Sequence, residues 1–239
     1  MKNDFKQFGN DLIDAIDPDE ENYFSSILKS TVNSYSSEPQ FVLDIGCGNG
    51  KFVSSIKTFS NVKLVGVDGS DYALKLAKSA GYDETLLIED FNSSSILFPQ
   101  NDWDLIICKD VLEHILYPED FVKHIVRLMK PECKLLIQVP NHFNFIGLLK
   151  FIKTRNLDVF NYFPNNNSWN NPHIRYFKFD EFISYFESLG LTVEANFCSK
   201  FSRFGPIKYI LPSKLRTILA TNYPMNFSEA FTILFKFQT

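Results

Sequence analysis

Residues 42–50 read Val-Leu-Asp-Ile-Gly-Cys-Gly-Asn-Gly, and no other stretch constrains the fold of this chain as tightly. The apolar run before the glycines has the length and composition of a buried strand. Gly46 and Gly48 let the backbone turn sharply and approach a ligand closely. The next segment, Gly50–Phe59, reads as a helix, whose first N–H groups and partial positive end would face the turn. A strand, a glycine turn and a helix in this order open a parallel α/β sheet. Asp44 would stand at the carboxyl end of its strand, beside the crevice where such sheets bind ligands.

The middle of the chain repeats the rhythm. Strands are expected at Phe41–Ile45, Lys63–Val67, Thr85–Ile88, Trp103–Cys108 and Lys134–Val139, and helices at Asn22–Ser36, Asp71–Ala80 and Glu119–Met129. Alternating strands and helices imply βαβ units with right-handed crossovers, hence a doubly wound sheet. After Pro140 the rhythm breaks. Helices are expected at Phe145–Lys153 and Asp180–Leu189, and strands at Leu191–Phe197 and Phe231–Phe237, around a long insertion at Ser199–Phe227. One domain over 1–239 is the expected organisation.

Composition excludes several classes. The chain of 239 residues carries 25 Phe and is 45% hydrophobic with a net charge of −4. That is too apolar for whole-chain disorder and too acidic for a nucleic-acid binder working by bulk electrostatics, so no nucleic-acid partner is expected. Cys47, Cys108, Cys133 and Cys198 form no CxxC pair and suit reduced, buried thiols in a cytoplasmic protein. No secretory signal or run long enough to span a membrane is read in the sequence.

Two ligands compete for the glycine turn. A dinucleotide site wants G-x-G-x-x-G. Here the spacing is D-x-G-x-G-x-G, with Lys51 where the last glycine of that fingerprint would fall. An acid ahead of the glycines suits a cationic ligand without phosphate better than a pyrophosphate. With these residues the chain resembles the class I S-adenosylmethionine (SAM)-dependent methyltransferases. Further motifs follow in order: Leu64-Val-Gly-Val-Asp68, Glu89-Asp90-Phe91, Trp103–His114 with its Val-Leu-Glu-His turn, and Leu128-Met-Lys-Pro131 before the fifth strand. Val139-Pro-Asn-His-Phe143 and Trp169–Phe177 resemble the branch of small methyltransferases related to methionine-biosynthesis protein W. That branch also includes enzymes of glycan and natural-product pathways.

The resemblance implies a seven-stranded, mostly parallel Rossmann-like sheet with its last strand antiparallel. It implies a cover over the active site built from an N-terminal helical cap (1–37) and the segment 141–177. It implies SAM as cofactor, held by Asp44, Gly46, Cys47, Gly48, Asp68 (ribose hydroxyls), Asp90 (adenine amine) and Phe91 (adenine ring), with Lys109 close by. The acceptor would be a small molecule or glycan precursor, methylated at oxygen, or else at nitrogen. Deprotonating it calls for a base. Among four histidines, His124 falls within a helix as a packing or surface residue, leaving His173, His114 and His142 as candidates. A metal-assisted route would draw on Asp110 and Glu113; no metal is expected. The segment 199–227 mixes Lys and Arg with aromatics and no acid, which suits either a solvated insertion or weak contact with a membrane surface. Two rivals stay open, a non-catalytic SAM- or partner-binding protein and a nicotinamide-dependent oxidoreductase.

Overall fold

Seven strands form one sheet in the order β3-β2-β1-β4-β5-β7-β6. They are β1 (Phe41–Ile45), β2 (Lys63–Asp68), β3 (Glu84–Leu87), β4 (Leu105–Lys109), β5 (Lys134–Pro140), β6 (Leu191–Asn196) and β7 (Ala230–Phe237). This computed structural model describes residues 18–35, 41–59, 62–93, 96–99, 102–155, 173–198 and 212–238. β1 pairs in parallel with β2 and β4, β2 pairs in parallel with β3, and β7 runs antiparallel to β6. The helices are α1 (Pro18–Asn33), α2 (Asp71–Ser79), α3 (Pro118–Leu128), α4 (Phe145–Thr154), α5 (Phe179–Ser188), α6 (Ser213–Asn222) and the short α7 (Pro224–Phe227). The expected seven-stranded α/β sheet is therefore present, and each expected strand forms within two residues of its expected bounds. No helix among the described residues is long and apolar enough to cross a membrane.

The described residues group into two compact units. The first takes the chain up to Val111 together with Tyr117–Leu136. Its central strands are near-continuous apolar runs: Leu105, Ile106, Ile107 and Cys108 are all buried, as a strand covered on both faces requires. α1 buries Phe24, Ile27, Leu28 and Val32, a stripe at helical spacing. α3 opens on Pro118, with Glu119 and Asp120 in its first turn, and buries Phe121, Val122 and Ile125. α2 is capped by Ser70, whose hydroxyl accepts the Ala73 N–H at 3.2 Å.

The second unit holds Leu112–Leu116 and the described chain from Ile137 onward. Much of the phenylalanine excess packs here. Phe186 of α5 stacks on Phe235 of β7 at 4.5 Å, Phe182 meets Phe186 at 5.0 Å, and Phe179 meets Phe231 edge-on at 5.2 Å.

One expected element is corrected. Gly50–Phe59 is not an α-helix: turns lead into a single 3-10 segment, Ser54–Thr58. Gly50 has φ of +79°, outside helical space, and Phe52, Val53, Ser54 and Ser55 are weak helix formers. The helix-dipole part of the expected ligand site goes with it; what remains at the turn is individual N–H groups and carboxylates. The expected cover is described only at 141–155 and 173–177, so Trp169 lies outside the described residues, as do 1–17 of the expected cap and 199–211 of the basic insertion. The rest of that insertion forms α6 and α7.

Candidate functional site

In the first unit the glycine turn is built as a tight hook. Gly46 and Cys47 both donate their N–H groups to the Val67 carbonyl, at 2.8 and 3.0 Å. Gly46 has φ of +72°, and a Cβ there would lie 2.4 Å from Cγ2 of Val111, so only glycine fits. Gly48 donates its N–H to Oδ2 of Asp68 at 2.9 Å. Among the described residues, a Cβ on Gly48 would meet no atom within 4 Å, which leaves room for a ligand against the backbone.

Two carboxylates flank the hook. Asp44 is buried, and its Oδ2 accepts the Tyr82 hydroxyl at 2.5 Å. Burial pushes its carboxyl up to about 7; the Asp68 charge adds to this, while the Tyr82 bond and the Lys109 charge oppose it. Asp68 accepts from Gly48 and, through Oδ1, from the Ser70 N–H at 2.9 Å. It too is raised, chiefly by burial. Lys109 ends β4 with its ammonium paired to Asp110 and 4.0 Å from the centre of the Phe52 ring. Asp110 holds a positive φ of +54°, uncommon for a residue with a side chain.

The remaining candidates of this unit fall as follows. The Cys47 thiol is buried, and burial raises it further from ionisation. Phe91 lies beside Gly69, where a Cβ would be 3.8 Å from its ring, and packs on Phe121 at 5.9 Å. Asp90 is exposed and accepts the Asn92 N–H at 2.9 Å. The ribose candidate thus ends β2, and the adenine candidates follow β3, its parallel neighbour. His124 is half-buried on α3, as expected.

In the second unit three histidines converge. His142 is sealed from solvent, and its Nε2 lies 3.0 Å from Nδ1 of His173. The rings of His173 and His114 lie 5.0 Å apart, and Tyr176 meets His142 edge-on at 4.6 Å. His114 approaches the buried Glu113 carboxylate at 4.0 Å. Burial, and then the neighbouring histidines, drive His142 down to about 3, so it is neutral at ordinary pH. Glu113, His114 and His173 each present a ligand atom within 4.8 Å of the others, a set able to hold a metal ion.

Asparagines hold this cluster. Asn141 donates from Nδ2 toward the carbonyls of Pro224, Met225 and Ser228 at 2.9–3.1 Å, and its backbone N–H binds the Glu229 carbonyl at 2.8 Å. Asn144 caps α4 by accepting the Gly147 N–H at 2.9 Å and donates back to the Asn141 carbonyl at 2.6 Å. Ile174 and Arg175 both donate backbone N–H groups to the Glu113 carbonyl, at 2.8 and 3.1 Å, tying the His173 segment to the 3-10 turn Leu112–His114. Sequence reasoning missed Tyr82, Asn141 and Asn144. An Asn three residues before Gly147 at a helix start is a readable cap signature. Tyr82 carries no signal, since it meets Asp44 across 38 residues.

Comparison with known proteins bears on the family and the fold. A methyltransferase-domain family model matches residues 21–196. A ubiquinone biosynthesis O-methyltransferase of Rickettsia bellii (strain OSU 85-389) is 26% identical over 148 residues, 61% of this chain and 59% of that protein. One of Coxiella burnetii (strain RSA 331) is 28% identical over 167 residues, 69% of this chain and 68% of that protein. The chain spans less than two thirds of the Rickettsia protein's length. Among solved structures, magnesium protoporphyrin IX methyltransferase from Synechocystis with bound SAH superposes with a TM-score of 0.60 at 14% identity, covering 92% of this chain and 84% of that one. A SAM-dependent methyltransferase from Archaeoglobus fulgidus gives a TM-score of 0.59 at 15% identity, covering 90% and 94%.

Proposed function

Because the chain belongs to the methyltransferase-domain family, we propose that it is a SAM-dependent methyltransferase acting on a hydroxyl of a small molecule. The residues of the first unit suit the cofactor. Asp68 offers a carboxylate for ribose hydroxyls, the backbone at Gly48 is open to a ligand, and Phe91 beside Gly69 suits an adenine ring. Asp44 supplies negative charge for a ligand that carries a sulfonium and an ammonium. When bound, SAM supplies a methyl carbon already activated by its sulfonium sulfur.

The observation that carries the catalytic reading is the 3.0 Å contact between His142 and His173. A neutral His142 accepts the Nδ1–H of His173. This fixes the tautomer that leaves the Nε2 lone pair of His173 as a base. His173 takes the proton of the acceptor hydroxyl at Nε2, and the resulting imidazolium is tolerated because His142 beside it stays uncharged. On this reading, contact with the acceptor, or its orientation, falls to His114, whose ring lies 5.0 Å from that of His173. The two relatives are named as O-methyltransferases of ubiquinone biosynthesis, which favours oxygen over nitrogen as the methylated atom.

The test is a SAM-consumption assay over hydroxylated aromatics, other hydroxylated metabolites and sugar nucleotides. Turnover with one acceptor class, lost in His173→Ala while SAM still binds, is the expected result. Failure to bind SAM ends the reading. SAM binding with no acceptor consumed moves the protein to the non-catalytic class. Under base catalysis a chelator leaves turnover intact; loss restored by a divalent cation transfers the chemistry to the Glu113, His114 and His173 set.

A further inference from the structure

We infer that Tyr82 is a positioning residue for the cofactor: its hydroxyl orients the Asp44 carboxylate, leaving the other carboxylate oxygen for the ligand. The inference rests on the cofactor site proposed above and adds a residue that none of the motifs contains.

The architecture around Tyr82 is specialised for this contact. Its ring is buried between two glycines. A Cβ on Gly50 would lie 2.7 Å from its Cε2, and a Cβ on Gly66 would lie 2.7 Å from its Cδ1. Gly66 is the residue that pairs with Asp44 across the β1–β2 ladder, so the ring crosses the neighbouring strand where side-chain bulk is absent. The phenol then reaches Asp44 Oδ2 at 2.5 Å. The next residue locks the approach. Asp83 accepts the Leu64 N–H at 2.7 Å and the Lys57 ammonium at 2.8 Å, and its own N–H binds the Leu64 carbonyl at 2.9 Å. Gly81, with φ of +109°, makes the turn from α2 into this segment. A phenol serving only as core filling would not need two side chains removed from its path and a clamp at its neighbour.

The groups electrically facing Asp44 are Tyr82, Asp68, Cys47 and Lys109. Among the described residues, the Tyr82 hydrogen bond is the largest influence that favours the ionised carboxylate. Its removal therefore makes Asp44 harder to ionise, and a cationic ligand then needs a higher pH to meet a carboxylate.

The experiment is calorimetric titration of the full chain with SAM from pH 5.5 to 9, for the wild type, Tyr82→Phe, Asp44→Asn and the double variant, each checked for folding by thermal denaturation. Phenylalanine keeps the ring in its slot. The expected result for Tyr82→Phe is SAM binding weakened about tenfold at neutral pH, with the pH midpoint of affinity moved upward. Asp44→Asn should weaken binding and flatten the pH profile, and adding Tyr82→Phe to it should change little further. Wild-type affinity and midpoint in Tyr82→Phe overturn the inference while leaving the cofactor site intact. Weaker binding with an unmoved midpoint also overturns it, because that is what a merely structural role would give. Unchanged affinity in Asp44→Asn overturns both this inference and the cofactor assignment.

Discussion

Asp44 and His142 are both buried, yet burial moves them in opposite directions: the carboxyl up to about 7 and the imidazole down to about 3. In each case the apolar surroundings disfavour the charged form. The cofactor half of the molecule offsets that cost with hydrogen bonds to its acids, from Tyr82, Gly48 and Ser70. The histidine half accepts the neutral form and uses it. On the proposed reading, the first half holds carboxylates for a cationic ligand. The second stores an uncharged imidazole beside a candidate base.

If the two halves carry separate tasks, substitutions should separate them. The largest expected effect is in the histidine half. His173→Ala should lower turnover by roughly 10²- to 10⁴-fold, the usual contribution of a positioned base, with SAM affinity within about twofold of wild type. Steady-state rates and calorimetry on one preparation check both parts, and a matching loss of SAM affinity would break the division. Gly46→Ala should act in the other half. Its methyl would lie 2.4 Å from Val111 Cγ2 at a φ of +72°. The expected cost is about 2–4 kcal/mol in denaturant unfolding. Adding Val111→Ala relieves the clash but not the backbone strain, so stability should return only in part.

The opposed shifts predict opposed pH responses. The folded-state value of Asp44 lies above its ordinary 3.8, so the empty protein loses stability as pH rises from about 4 to about 7. Asp44→Asn removes that loss and should stabilise the empty protein at pH 8 by about 2 kcal/mol even as it weakens SAM binding. The folded-state value of His142 lies below its ordinary 6.5, so its contribution is complete above that pH and is lost as pH falls toward about 3. Between about pH 4 and 6.5 the two contributions overlap with opposite slopes, so, relative to the wild type, His142→Asn should tilt the stability curve downward with rising pH and Asp44→Asn should tilt it upward. Urea unfolding midpoints from pH 4 to 8 read both, and two variants that tilt the curve in the same direction would contradict the comparison.

The two halves also differ in how much of them the sequence reveals. The cofactor half is written locally: residues 42–50 give a strand and a turn, and Asp68 ends the next strand, so period and spacing suffice. Even there Tyr82 was hidden, because its partner is set by the β1–β2 register and by two absent side chains. The lack of an α-helix over Gly50–Phe59 is not legible either, because polar and apolar spacing cannot report a positive φ at Gly50. In the histidine half the three candidates were legible as residue types in a chain with four His. Their convergence was not, since His114, His142 and His173 come from three segments brought together by backbone bonds to Glu113 and by the Asn141 anchor.

The smallest expected effect tests that anchoring. Asn144 caps α4 through the Gly147 N–H and also donates to the Asn141 carbonyl, so one side chain spans the stretch that carries His142. Asn144→Ala should cost about 1 kcal/mol of stability, the ordinary value of a lost cap. If that were all, turnover at saturating acceptor would stay at the wild-type rate wherever the variant is folded. His142, however, sits between the two asparagines and holds His173 by one hydrogen bond. A modest loosening there should lower turnover several-fold with SAM affinity unchanged, whereas Asn144→Asp, which restores the cap acceptor but not the donor, should recover stability and leave turnover low. Full recovery of both by Asp would assign Asn144 to helix capping alone and leave the placement of His142 to Asn141.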